Sequence, residues 1–417
     1  MNNIKQYKER KLKELSILNG YLNNKIDLTN CNSEKDILER KNVIIKNLRN
    51  DNREKFYHHL TNNNQISFKN ELFDYQYTYE RFNGFLKVDH FANNFYNIPN
   101  NIFSEIYFTN CGMTAIVSLL TAMCLSSDVR IDLLYEETYF ETIKYLSIVN
   151  KEQAKYKALY IDTIASTFSF DISKELLCQY NYILIDTTCF LGDEFSKIIS
   201  YIYEQNIPCI LVRSHTKLDL VGTEYSHMGS VSFIKPKRMQ DKLEENLNLI
   251  ESSCKHLIGV YGACLIPENF PTFFLNKELN LLNKERINMV SSNTEELYNI
   301  LKNNNIDCQI PNHKQFCLIY LGSQDIKLEN LKKKIIEFCN KLNSEGYNIY
   351  HAVSFGFDYI AVDCYQNFID STFKIRICLN DGIIDDVSKF ANELLNFLKV
   401  ENLIWNRSRV ILLSFLI

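Results

Sequence analysis

Between residues 105 and 235, short apolar runs alternate with stretches of helical spacing. The apolar runs are Glu105–Thr109, Val129–Leu134, Lys157–Ile161, Tyr182–Ile185, Cys209–Val212 and Ser230–Ile234. The helical stretches between them are Met113–Leu125, Glu141–Ile148, Ile172–Gln179 and Glu194–Gln205. This alternation predicts βαβ units around a mostly parallel sheet, an α/β fold class. Before it, residues 1–70 are polar and charged at helical spacing, which predicts surface helices in an N-terminal arm. After it, a long helix is expected near Lys277–Asn303, burying Ile287, Val290, Leu297 and Leu301 on one face. The strands Cys317–Leu321, Tyr350–Ala352 and Phe373–Cys378 then interleave with the helices Glu329–Leu342 and Ile384–Phe397. That order predicts a smaller α/β domain with an antiparallel sheet. The expected organisation is an arm (1–75), a large domain (76–290) and a small C-terminal domain (291–417).

Composition narrows the function classes. A chain of 417 residues is too long for one small core, in keeping with two domains. A formal charge of −4 argues against nucleic acid as a partner. Thirteen scattered cysteines without a Cys-x-x-Cys pair suit neither a zinc site nor a disulfide framework, and point to a reducing, cytoplasmic setting. No apolar run reaches 18 residues and the first residues lack a signal-like core, so neither a membrane span nor a signal peptide is expected. The apolar tail Val410–Ile417 reads as a buried final strand or an oligomer contact. His58-His59 lacks metal-ligand spacing, and no metal is expected.

Chemistry gathers where strands are expected to end. Lys217 closes the run Ser214-His215-Thr216-Lys217 after the strand Cys209–Val212. Two hydroxyls within three residues suit a lysine that forms a Schiff base beside a phosphate. Asn110-Cys111-Gly112-Met113-Thr114 leaves the first strand and opens a helix, and helix N-termini hold anions well. In Tyr135-Glu136-Glu137-Thr138-Tyr139 either tyrosine can offer a flat face to an aromatic ring. Asp186 ends an apolar strand, where an acid either meets a cation or caps local amides. Arg376, on a later strand, can grip a carboxylate bidentately or form an interdomain salt bridge. A phosphate cup, a stacking ring, an acid for a ring nitrogen and a lysine are together the needs of pyridoxal 5'-phosphate.

In these residues the chain resembles fold-type I pyridoxal-phosphate enzymes, and among them the cystathionine synthase/lyase (Cys/Met metabolism) family, as a divergent member. Thr109–Ile116 resembles that family's phosphate cup, with Cys111 where Ser or Thr is usual, followed by Gly112 and Met113. The resemblance implies that Tyr135 stacks on the cofactor ring and that Asp186 meets its nitrogen, with Thr188 beside it. It implies that Ser214 and Thr216 face the phosphate, and that Lys217 is the Schiff-base residue and general base. Tyr79-Glu80-Arg81 resembles an element whose Tyr and Arg reach the neighbouring subunit's phosphate, which implies a homodimer or tetramer. Val353-Ser354-Phe355-Gly356 resembles a loop near the substrate carboxylate, and Arg376 falls on the carboxylate-binding arginine. Asp162-Thr163-Ile164 stands where a Glu-Ser-Pro element is usual, and Glu136-Glu137 replaces two glycines. The implied activity is β- or γ-elimination or replacement on a small amino-acid substrate. An aminotransferase or cyclase, or a non-catalytic scaffold of the same fold, is the alternative.

Overall fold

The computed structural model describes residues 2–29, 31, 33–60, 66–69, 73–77, 87–88, 95–96, 103–165, 167–169, 172–190, 193–264, 269–321, 327–366, 372–382, 385–401 and 403. The chain divides into two compact units, Lys11–Lys284 and Met1–Arg10 with Glu285–Ile417. Two long helices come first, α1 (Asn2–Gly20) and α2 (Glu34–Leu60). They form where helical spacing predicts, but they are more than surface helices. Lys11, Glu14 and Lys41 are buried, as are Leu15, Leu18, Ile37 and Ile44. Residues 66–88 hold an antiparallel three-stranded sheet, β1 (Ile66–Lys69), β2 (Phe73–Tyr77) and β3 (Lys87–Val88), which the spacing did not predict.

The larger unit is built on six strands. β4 (Phe103–Thr109) leads into α3 (Gly112–Thr121), whose end widens into a π-helical turn at Ala122–Ser126. Then come β5 (Val129–Leu133), α4 (Phe140–Val149), β6 (Tyr156–Asp162), α5 (Lys174–Leu177), β7 (Tyr182–Asp186), α6 (Asp193–Glu204) and β8 (Cys209–Ser214). A one-turn helix, α7 (His215–Leu218), precedes β9 (Gly229–Ile234) and α8 (Asp241–Tyr261). The strand order is β4-β9-β8-β7-β6-β5. β5 to β8 pair in parallel, while β9 is antiparallel to both β8 and β4. β4 therefore runs with the parallel set, and five strands end on one edge. β7 and β9 are buried along their whole length, the pattern of strands covered on both faces. Leu119, Met123, Leu247, Ile250 and Cys254 of the flanking helices pack with Tyr160, Leu184, Val212 and Phe233 of the sheet.

The smaller unit takes most of its core from α9 (Lys277–Asn303) onward. β10 (Cys308–Gln309), β11 (Cys317–Leu321), α10 (Leu328–Ser344), β12 (Ile349–His351), β13 (Ile360–Gln366), β14 (Phe373–Cys378) and α11 (Asp385–Val400) follow. The sheet order is β10-β11-β14-β13-β12, antiparallel except for the β12–β13 pair. Leu297, Leu301, Ile335, Phe338, Ile375 and Leu394 join its core. Among the described residues, no helix is long and apolar enough to cross a membrane. The tail Val410–Ile417 lies outside the described residues.

Candidate active site

Five strand ends place their chemistry along one edge of the six-stranded sheet, the edge where open α/β sheets bind ligands. At the end of β4, Cys111 is the N-cap of α3 and its sulfur accepts the Thr114 N–H at 3.4 Å. A thiol is a weak acceptor, so this cap is softer than Ser or Thr would make it. Met113 packs its side chain on the sheet core, leaving its backbone for any ligand contact. Gly112 abuts the turn after β8. A Cβ on it would stand 2.6 Å from Ser214 Cβ and 3.0 Å from Ser214 Cα. Gly229 of β9 is equally confined, its absent Cβ 2.5 Å from the Cys111 carbonyl oxygen. The helix N-terminus is thus held directly against Ser214. Gly112→Ala is expected to force these elements apart and cost about 1–3 kcal/mol, the usual range for overpacking. A chemical-denaturation midpoint equal to wild type would contradict that.

Two acids end neighbouring strands. Asp162 of β6 and Asp186 of β7 are register partners, and both are buried. Asp162 accepts backbone N–H groups from Tyr139 (2.7 Å) and Ile164 (2.9 Å). Asp186 Oδ1 accepts the Thr188 N–H at 2.9 Å. Thr188 Oγ1 in turn accepts the Ser214 N–H at 3.0 Å, so Thr188 links the acid to the lysine turn. Burial, then the charge of Asp186, raises the Asp162 carboxyl to about 7. Burial likewise raises Asp186, against the hydrogen bonds from Thr188 and the charges of Lys217 and Arg213.

This carries a pH prediction. The unfolded Asp162 ionises near 3.8, while the folded one keeps its proton to about 7. The folded state therefore binds more protons across that window, and stability falls as pH rises through it. In Asp162→Asn the decline between about pH 4 and pH 7 should flatten by an amount of the order of a few kcal/mol. Parallel wild-type and variant pH–stability curves would refute the assignment.

Lys217 sits in α7, half-buried, with Nζ 5.2 Å from the centre of the Tyr139 ring. The Tyr139 ring thus lies beside the lysine. The Tyr135 hydroxyl is engaged with the backbone of Ser169 (3.1 Å from its N–H), and its ring meets Phe168 edge-on. Thr216 Oγ1 accepts the Met228 N–H at 3.2 Å.

The turn rests on a buried network absent from the sequence expectations. Arg213 forms two hydrogen bonds to Asp219, at 2.7 and 2.6 Å, and also donates to the carbonyls of Thr187 and Phe190. His215 bridges Asp219 (2.7 Å) and Ser230 (2.8 Å). Burial works against the Asp219 charge, but Arg213 and the hydrogen bonds outweigh it and hold the carboxyl below its usual range. Burial lowers His215, favouring its neutral form.

In the other unit, Arg376 Nη2 donates to the Val353 carbonyl at 2.5 Å and lies 3.5 Å from Asp363 Oδ2. Its buried Nε has no partner among the described residues. Ser354, half-buried, follows Val353 in the same loop. Tyr79 and Arg81 lie outside the described residues.

The architecture is that of fold-type I pyridoxal-phosphate enzymes. A solved structure of a serine palmitoyltransferase with PLP matches with TM-score 0.52 at 13% identity, covering 86% of this chain and 85% of that one. MetB from Corynebacterium glutamicum matches with TM-score 0.47 at 14% identity, covering 71% of this chain and 82% of that one. A methionine gamma lyase from Micromonospora echinospora also matches with TM-score 0.47, at 13% identity, covering 70% and 81%. No family model and no curated protein matches the sequence.

Proposed function

We propose that this chain is a pyridoxal-phosphate-dependent enzyme acting on an amino acid, with the cofactor held by Lys217. The observation that carries the reading is the set of buried acids on the sheet edge that bears Lys217. Asp162, Asp186 and Asp219 are buried there, and Arg213 is already bound by Asp219. The charge of Lys217 acts on both other acids, and that of Arg213 reaches Asp186 as well. A protonated pyridine nitrogen at Asp186 would give that buried carboxyl a cationic partner, offsetting the burial that raises it. The α3 N-terminus against Ser214 fits a phosphate, and the Tyr139 ring beside Lys217 Nζ fits a flat aromatic group.

When bound, the cofactor supplies an electron sink for bonds at the substrate α-carbon. Lys217 Nζ would hold the cofactor's aldehyde carbon and, once displaced by the substrate amine, take the α-proton as general base. Asp186 would keep the ring nitrogen protonated. Backbone N–H groups at Gly112 and Met113, with the hydroxyls of Ser214 and Thr216, would meet the phosphate. Arg376, with Ser354, would orient the substrate carboxylate. The finer reading is β- or γ-elimination or replacement, in a dimer or tetramer whose Tyr79 and Arg81 reach across subunits.

The test adds the cofactor to purified protein, reduces with borohydride, and maps the pyridoxyl group by peptide mass spectrometry. Label on the Lys217 peptide is expected. Incubation with amino acids bearing β- or γ-leaving groups should then release a 2-oxo acid and ammonia. Label confined to surface lysines would sink the cofactor assignment. Conversion of the cofactor to its amine form, reversed by an added oxo acid, would replace elimination with transamination.

A further inference from the structure

The N-terminal helices carry a buried ion cluster that reaches toward the lysine turn. Lys11 and Glu14 of α1 and Lys41 of α2 are 0, 0 and 2% exposed. Glu14 Oε1 pairs with the Lys41 ammonium, and Oε2 lies 3.9 Å from that of Lys11. Apart from these two cations, neither carboxylate oxygen meets a donor among the described residues. Three buried charges are costly, so their retention asks for a use.

Lys41 has a second partner 180 positions away, donating to the main-chain carbonyl of Val221. Val221 holds φ at +48°, a region in which a β-branched residue is strained. Gly222 follows at φ +77°. The turn closes on itself, with Thr223 donating to the Leu220 carbonyl from N–H (2.9 Å) and Oγ1 (2.7 Å). Lys217 lies four residues before Val221, and the Leu218 carbonyl between them accepts from Asn283 at 2.7 Å. Backbone held in a sparsely populated conformation persists only where its surroundings over-determine it. Here the fixing group is an ammonium ion whose own place is set by Glu14, and charge-assisted hydrogen bonds are the stronger kind.

We propose that Lys41 is a positioning residue for Lys217: with Glu14 and Lys11 it clamps the strained turn at Val221, making the N-terminal helices part of the lysine's support. The inference rests on the reading of Lys217 as the cofactor-bearing amine. Lys41→Met suits the test, because it keeps an apolar stem and leaves Glu14 paired with Lys11 rather than alone.

Two measurements decide it. Hydrogen–deuterium exchange of cofactor-free protein reads the segment 218–223. Stopped-flow absorbance reads the rate at which Lys217 captures added pyridoxal phosphate. In Lys41→Met, exchange in 218–223 should quicken tenfold or more with the β6 and β7 amides unchanged, and capture should slow tenfold or more. Val221→Gly removes the strain that Lys41 opposes, so in that background the effect of Lys41→Met on capture should shrink below threefold. Unchanged exchange in 218–223, or an equal slowing in both backgrounds, would overturn the clamp. If Lys41→Met does not fold, Lys41→Arg in the two backgrounds completes the same cycle. A wild-type protein that never captures the cofactor on Lys217 removes the cofactor reading, while the exchange result, which needs no cofactor, still decides the clamp.

Discussion

Lys217→Ala is expected to abolish borohydride-fixed labelling of its peptide and to lower turnover of an amino-acid substrate by three or more orders of magnitude. The size follows from the two roles placed on one atom. Lys217 Nζ would anchor the cofactor and also move the α-proton, and general acid–base catalysis alone contributes roughly 10²–10⁴-fold. Two nearby groups offer no substitute. Arg213 is bound by Asp219 and remains protonated, so it cannot act as a base. The Cys189 thiol is buried and pushed well above its ordinary range by that burial, so little thiolate forms there. The alanine variant also leaves Asp162 and Asp186 without their lysine, so it should hold protons on that pair to higher pH than wild type. Added methylamine, which restores a free amine, should recover part of the rate. An alanine variant retaining more than a tenth of wild-type turnover would refute the assignment.

Asp219→Ala is expected to cost about 3–5 kcal/mol of folding stability, the usual consequence of stranding one member of a buried ion pair. Asp219 supplies both carboxylate oxygens to Arg213 and accepts from His215, and all three side chains are inaccessible to solvent. Removing it leaves a guanidinium in the core with, among the described residues, the carbonyls of Thr187 and Phe190 and the Phe95 ring 5.0 Å away. The double replacement Arg213→Met with Asp219→Leu should be far less harmful than Asp219→Ala, because it removes both charges instead of one. Equilibrium denaturation measures both. A loss below about 1 kcal/mol for Asp219→Ala would mean that the guanidinium reaches water in the native state.

Much of the larger unit was legible from apolar runs. β6 to β9 are buried along most of their length, and such strands announce themselves as short continuous hydrophobic stretches. Helix α8 was missed although its signal is present. Leu243, Leu247, Ile250, Cys254 and Ile258 recur at helical spacing, and the last four are buried. β1 to β3 were missed because they are short and bounded by polar, Asn-rich sequence. In the smaller unit β10 and β13 escaped notice, β10 because two residues are too few for a period.

The candidate site divides in the same way. Ser214, Thr216, Lys217, Asp186 and Gly112 could be singled out because each follows or occupies an apolar run at a recognisable spacing. Asp162 appeared as a departure from a motif, not as a neighbour of Asp186. Their pairing depends on β6 and β7 lying side by side in register. The approach of the Tyr139 ring to Lys217 depends on a loop tied to Asp162 by the Tyr139 N–H. The polar helices of the arm read as surface, since charged residues are rarely buried without partners. Lys41 is buried because its partners come from α1 and from a turn 180 residues along the chain.

The sequence by itself determined the α/β alternation, much of the order of the elements and the residue types at the strand ends, because hydrophobic period and strand-end chemistry are local properties. Which acid faces which acid, which ring meets Lys217, and what holds its turn were decided only by tertiary structure. Those are contacts between segments far apart in the chain, and burial converts them from weak surface interactions into strong constraints.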